Sequence, residues 1–147
     1  MVTHLAQLNI GVPVGPREDP RMAGFYAEID RINAIADEWP GFVWRLVDDG
    51  GADATSLRPF GGDIMVNLSV WRDVEALRKF TFRSGHLDIL RRRREWFRPF
   101  GDAIAVLWWV PEGHRPSVAE AGERLELLRS KGATAEAFTF RDPFPAP

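Results

Sequence analysis

The 147-residue chain contains no cysteine. It therefore has no disulfide framework, no thiol nucleophile and no zinc or iron–sulfur site held by cysteine. Lysine is scarce as well, since only Lys79 and Lys131 are lysines among the 19 basic residues. The longest apolar run, residues 103–111, is far shorter than the ~20 residues that cross a bilayer as a helix. A formal net charge of −2 argues against a general nucleic-acid-binding protein, because such proteins are usually basic.

The amino-terminal residues lack the basic stretch and the long apolar segment of a signal peptide. We therefore expect a cytoplasmic protein with no membrane attachment. The length predicts a single domain over residues 1–147, which is enough chain to bury a core without crosslinks. Large aromatic residues are abundant, with six Trp and ten Phe against one Tyr. Where the indole rings lie is thus a central question for the fold.

Hydrophobic periodicity predicts four strands and four main helices. Alternation of side-chain type marks the strands over residues 3–10 and 64–71, and β-rich composition marks the strand over residues 42–47. The fourth predicted strand is the apolar segment over residues 103–110. Helical spacing and capping residues mark the helices, over residues 21–38, after Asp73, from Ser84 to about Phe97, and from Ser117 to about Lys131. This order is typical of a ferredoxin-like βαββαβ fold of the α+β class, an antiparallel sheet with helices on one face and an extra C-terminal helix.

Alternation also divides the predicted sheet into an apolar face and a mixed face. We assign the apolar face to the helices; it comprises Ala6, Leu8, Ile10, Ile64, Val66, Leu68 and Val70. Met65 and Trp71 then lie on the mixed face and point toward solvent. An open patch of this kind is normally covered, so we expect a homodimer whose two sheets pack face to face or close into a barrel. Trp108 and Trp109 are adjacent on a strand and must point to opposite faces.

The mixed face is a candidate small-molecule site, because ligand pockets are mostly apolar with a few placed polar groups. The residues expected to contact a substrate there are Gln7, Arg45, Met65, Asn67 and Ser69, with Arg45 assigned to this face by its polarity. The alternative interpretation is that these polar side chains are simply solvated on a half-covered sheet.

His86 is a candidate general base, since an imidazole titrates near neutral pH. A structural role is its alternative. The three histidines are scattered and form no zinc spacing, so no metal is expected.

The arginine run at residues 91–94 lies in a segment, residues 78–98, with eight basic and two acidic residues. Consecutive helical residues point in different directions, so we expect only one or two of the run to face a ligand, and we select Arg94.

Three blocks of sequence, VNLSVW, RRRREWF and LWWVPEGHRP, resemble the DUF3291 family of the dimeric α+β barrel superfamily. The family is of uncharacterised function, and the resemblance covers nearly the whole chain. It implies the ferredoxin-like fold and the homodimer. The superfamily includes cofactor-independent antibiotic-biosynthesis monooxygenases and haem-degrading monooxygenases. Similarity to the haem-degrading type implies Asn9, Trp71 and His86 as catalytic residues.

Three functions follow as hypotheses. The first is a monooxygenase-like enzyme without a bound cofactor, acting on an aromatic or polyketide-like molecule. In it, Asn9 and Asn67 would hold an oxyanion and His86 would move a proton. The second is a haem-binding protein or haem monooxygenase. The third is a non-catalytic module that binds a small ligand or a partner.

Overall fold

The computed structural model describes residues 2–147 and contains one four-stranded sheet within them. Its strands are β1 (Thr3–Gly11), β2 (Phe42–Arg45), β3 (Met65–Trp71) and β4 (Ala105–Pro111). They lie in the order β2-β3-β1-β4, and every neighbouring pair is antiparallel. Helices connect β1 to β2 and β3 to β4. This is the predicted ferredoxin-like α+β fold.

The α-helices within residues 2–147 are α1 (Ala23–Asp37), α2 (Val74–Arg83), α3 (His86–Arg91), α4 (Arg93–Trp96) and α5 (Val118–Lys131). Two of these five helices, α2 and α5, begin directly after their predicted capping residues, Asp73 and Ser117. The side chains of Asp19, Asp73 and Ser117 each accept a hydrogen bond from a backbone N–H two or three residues further on. Asp19 caps a short 3-10 turn, Pro20–Met22, that leads directly into α1. Such caps satisfy backbone donors that a helix leaves unpaired at its start.

The segment after Ser84 differs from the prediction of one helix. It forms the two short helices α3 and α4, and the chain bends at Arg92 between them. Trp96, at the end of α4, is only 1% exposed and packs with Met22 and Phe25. The bend thus accompanies the burial of the large Trp96 indole. Burying that side chain stabilises the fold more than continuing a single helix would.

One face of the sheet packs against α5. This face carries the apolar residues of all four strands, among them Leu8, Leu68 and Val106, and it contacts Leu125 and Leu128 of α5. Trp108 lies on the same face and is fully buried. Most of the large aliphatic residues of the strands are therefore used in binding the C-terminal helix.

The opposite, mixed face lies beneath α1–α4. Leu5 and Trp71 pack with side chains of α1 and α2, and Met65 packs with Trp96 of α4. Met65 and Trp71 are 5% and 2% exposed. The prediction that this face is open, with the apolar face beneath the crossover helices, is wrong. Strand periodicity separates two sets of residues, but it does not say which helix covers each set.

Both faces of the sheet are covered within a single chain. An uncovered face therefore no longer argues for dimerisation, and the homodimer stays a prediction from the family resemblance. Among residues 2–147, no helix is both long enough and apolar enough to cross a membrane.

The C-terminal tail covers the outer edge of β4. Leu107 and Phe138 exchange two backbone hydrogen bonds of 2.8 Å, and Phe138 is fully buried. The indole Nε1 of Trp109 donates to the carbonyl of Phe144 at 2.9 Å. The tail thus pairs an edge strand that would otherwise present free backbone groups.

Replacing Phe138 by alanine tests the contribution of the tail. We expect Phe138→Ala to lower the free energy of unfolding by about 3–5 kcal/mol, because a fully buried ring is lost and a cavity remains. Phe82→Ala is the matched control, since the Phe82 side chain is 45% exposed, and its loss should be below about 1 kcal/mol. Urea denaturation measures both. Equal unfolding midpoints for the two variants would contradict the assignment of the tail to the core.

Candidate functional site

A cavity of about 550 Å³ lies between the mixed face of the sheet and helices α1–α3. The volume is in the range of pockets that hold drug-sized molecules, about 300–1,000 Å³. Apolar side chains form its helical wall, including Phe25, Ile29, Ile32, Leu77, Phe80 and Ile89. Polar side chains reach it from the sheet. An apolar cavity with a few converging polar groups is the usual form of a small-molecule site.

Eight of the nine predicted site residues line this cavity: Gln7, Asn9, Arg45, Met65, Asn67, Ser69, Trp71 and His86. The strand register explains why the sheet residues meet. Gln7 lies opposite Ser69 and Asn9 opposite Asn67 across β1 and β3, while Arg45 lies opposite Ser69 across β2 and β3. Residues that face each other across a ladder share one face of the sheet. Arg45 therefore lies on the face to which its polarity assigned it.

Four of these residues form a hydrogen-bonded group, which we call the polar strip: Gln7, Asn67, Ser69 and Trp71. Gln7 Nε2 donates to Asn67 Oδ1 at 2.6 Å and to Ser69 Oγ at 2.7 Å. Trp71 Nε1 donates to the same Ser69 Oγ at 2.8 Å. A hydroxyl has two lone pairs and one hydrogen, and both lone pairs of Ser69 are engaged. Its O–H is left to donate to an acceptor in the cavity.

His86 supplies the imidazole of the cavity. Its Nδ1 lies 3.4 Å from the carbonyl oxygen of Thr81, and its ring centroid lies 5.1 Å from that of Phe80. A carbonyl can only accept, so this contact places the hydrogen on Nδ1 and the lone pair on Nε2. Burial lowers the pKa of His86, and the hydrogen bond to Thr81 offsets only part of that effect. The ring is therefore neutral at pH 7, with Nε2 able to accept a proton.

Arg45 is held by partners within the protein. Its Nε and Nη2 donate to the Asp37 carboxylate at 2.8 and 3.2 Å, and its Nη1 donates to the Ala52 carbonyl at 2.7 Å. These contacts tie the end of α1 to β2 and to the loop that follows it. We predicted that Arg45 would bind a ligand anion, but its geometry makes it part of the cavity wall, already paired with a carboxylate.

The arginine run contributes Arg93 to the cavity, whereas we predicted Arg94. Arg93 is half-buried and lines the cavity, whereas Arg94 is exposed and does not. Arg92 pairs with Glu95 at 2.9 Å. Successive helical residues differ by about 100° in direction, so the bend at Arg92 resets which residue points inward.

Asn33 of α1 also lines the cavity, and the sequence reasoning missed it. A signal for it was present. Asn33 is four residues after Ile29 and three before Ala36, which puts it on the buried face of an amphipathic helix. A polar residue on such a face is a candidate for ligand contact.

His114 lies apart from the cavity, near the start of α5. Its Nε2 is 2.7 Å from Glu120 Oε1, and Trp108 Nε1 donates to Glu120 Oε2 at 2.8 Å. Burial raises the pKa of Glu120, but the hydrogen bonds from His114 and Trp108 outweigh it and lower the pKa overall. Within residues 2–147, no group of three or more His, Asp or Glu residues is arranged to hold a metal ion.

Comparison with known proteins finds a family model and solved structures to which this chain is similar. A family model described as Domain of unknown function (DUF3291) matches residues 4–147. No curated protein matches the chain. A crystal structure of SnoaB, a cofactor-independent oxygenase from Streptomyces nogalater, is 21% identical, covers 78% of this chain and 96% of that one, and has a TM-score of 0.49. A point mutant of SnoaB is 18% identical, with coverages of 76% and 95% and a TM-score of 0.46.

The lowered pKa of His86 makes the stability of the protein depend on pH. The unfolded chain, whose imidazole has the ordinary pKa of 6.5, takes up a proton before the folded chain does as the pH falls. The contribution of the neutral ring to the free energy of unfolding is therefore fully present above about pH 6.5. It decreases as the pH falls toward the pKa of His86 in the folded protein. His86→Gln should show a smaller decrease between pH 7 and 5 in urea denaturation. The same pH profile in both proteins would contradict the burial of a neutral ring.

The Ser69 hydroxyl can be tested by removing it. Ser69→Ala leaves the Gln7 amide and the Trp71 indole with one acceptor fewer, so we expect a loss of about 1–3 kcal/mol in unfolding free energy. Ser130→Ala, on the exposed side of α5, should change stability by less than about 0.5 kcal/mol. If thermal unfolding finds the two variants equally stable, the polar strip does not depend on Ser69.

Proposed function

We propose that this chain, which belongs to the DUF3291 family, binds a small aromatic molecule in the cavity and removes a proton from it. One observation carries the proposal: a neutral imidazole, that of His86, lies in the wall of a largely apolar cavity with its Nε2 free of the Thr81 contact. A base held within reach of the ligand, with a pKa near the working pH, is the requirement for general base catalysis.

Each polar group has a defined task in this reaction. His86 Nε2 accepts a proton from a carbon of the ligand. The Ser69 O–H and the side-chain amides of Asn9 and Asn67 donate hydrogen bonds to the oxygen on which negative charge then develops. Trp71 provides an apolar wall, and its indole N–H keeps Ser69 oriented. A low-polarity surrounding strengthens all of these interactions.

The overall reaction that we propose is oxygenation without a cofactor. The substrate carries a CH₂ group next to a carbonyl or a phenol ring, and loss of a proton leaves an enolate. Dioxygen is the oxidant and takes electrons from that enolate. The CH₂ becomes a C=O that retains one oxygen atom, and the other oxygen leaves as water. The substrate thus supplies all four electrons, and His86 returns its proton to the departing oxygen.

Haem is a second candidate ligand, favoured by the orientation of His86. Histidines that bind metals usually donate their other ring N–H to a carbonyl or carboxylate, as His86 does to Thr81. Nε2 would then be the atom that binds iron. Haemin added to the purified protein would produce a Soret band that His86→Ala abolishes. A colourless protein at stoichiometric haemin would exclude this candidate.

Oxygen uptake tests the proposed catalysis. The substrates are two- and three-ring aromatic ketones with a ring CH₂, supplied as a panel to the purified protein. We expect His86→Gln to lower kcat by about 10²–10⁴-fold, with the affinity for substrate changed much less, because proton transfer alone is lost. His114→Gln is the matched control, since His114 lies outside the cavity, and it should retain full turnover.

The outcomes separate the candidate functions. Unchanged turnover in His86→Gln would contradict its role as the base. Binding of the panel without any oxygen uptake would instead favour a ligand-binding module that performs no reaction.

A further inference from the structure

We infer that Arg93 forms an anion subsite in the cavity, so that the natural ligand is an aromatic molecule bearing a carboxylate or an acidic group of similar size. This inference rests on the proposed function in one respect, namely that the cavity is where the ligand binds. It adds the chemical class of that ligand and the residue that recognises it.

Arg93 differs from the other arginines that line the cavity because it is half-buried and has no carboxylate partner among residues 2–147. Arg45 is already paired with Asp37, and Arg141 is exposed to water. Among the ion pairs of residues 2–147, none involves Arg93. The one hydrogen bond of its side chain in that part of the protein runs from Nη2 to the carbonyl of Ile10, at a long 3.4 Å. The other guanidinium donors are therefore available to a ligand.

The surroundings of Arg93 leave its charge uncompensated. Taking a guanidinium out of water without a partner is unfavourable, and burial lowers the pKa of Arg93 with no neighbouring carboxylate to offset it. Arg92, by contrast, has its pKa raised by the hydrogen bond to Glu95. Among residues 2–147, Asp53 is the one acidic residue in the cavity wall, and its Oδ1 accepts from the backbone N–H and the hydroxyl of Thr55.

Aromatic rings beside Arg93 complete the subsite. The Phe97 ring centroid lies 5.5 Å from the guanidinium carbon, and the Phe25 ring meets Phe97 edge-on at 5.2 Å. Both rings line the cavity. A flat aromatic ligand packed against them would place an acidic substituent within reach of Arg93. The planar guanidinium fork matches a carboxylate better than a lysine ammonium would.

A matched pair of fluorescent probes tests the subsite in the full-length protein. The anionic probe is 1-anilinonaphthalene-8-sulfonate, and the neutral probe is N-phenyl-1-naphthylamine, which has the same ring system without the sulfonate. We expect Arg93→Gln to weaken binding of the anionic probe by at least about tenfold and to leave the neutral probe within threefold. Arg93→Lys should fall between, because it keeps the charge but loses the fork.

Arg94→Gln is the matched control, since it removes the same charge one residue away from an exposed position. It should change neither affinity, and all three variants should retain the wild-type unfolding midpoint within a few degrees. Equal losses of both probes in Arg93→Gln, or an unchanged affinity for the anionic probe, would overturn the subsite while leaving the cavity as a ligand site. Failure of both probes to bind the wild-type protein would overturn the proposed function and the subsite together.

Discussion

The Ser69 hydroxyl is the acceptor on which the cavity wall depends. It accepts from Gln7 on β1 and from Trp71 on its own strand, so one oxygen satisfies two buried donors. Gln7 and Ser69 are 8% and 5% exposed, and a buried polar group without a partner costs about 1–3 kcal/mol. Because the Gln7 amide and the Trp71 indole find acceptors within the polar strip, this face can lie beneath helices without being apolar. A cavity with hydrogen-bonding walls is the consequence.

The helices on the two faces of the sheet have different roles. Helix α5 packs on the apolar face, where Leu68, Val106 and Trp108 are almost completely buried. Helices α1–α3 cover the mixed face but leave the cavity between themselves and the strands. A site that stands on a sheet packed firmly from behind has the rigid support that catalysis and selective binding require. His86 and Arg93 then reach the cavity from the helical side.

Much of this arrangement could be predicted because it is local. Alternation over residues 64–71 marks a strand, and Asp73 marks the helix after it, without any knowledge of distant contacts. The same alternation grouped the cavity residues of β1 and β3 correctly. The sequence does not predict which helices pack on which face of the sheet, because that depends on α5 folding back over the sheet. The ion pair between Arg45 and Asp37 could not be predicted either, because Asp37 lies on another element.

Ligands that enter the space beneath α1–α3 come close to one tryptophan of the sheet and not to another, so the indole signals report where they bind. Trp71 lies on the cavity face, whereas Trp108 lies on the opposite face with its Nε1–H bonded to Glu120. In a ¹⁵N spectrum with assigned indole signals, titration with N-phenyl-1-naphthylamine should shift the Trp71 signal and leave that of Trp108 in place. A shift of Trp108 with Trp71 unmoved would contradict the account, because the ligand would then bind on the α5 side of the sheet.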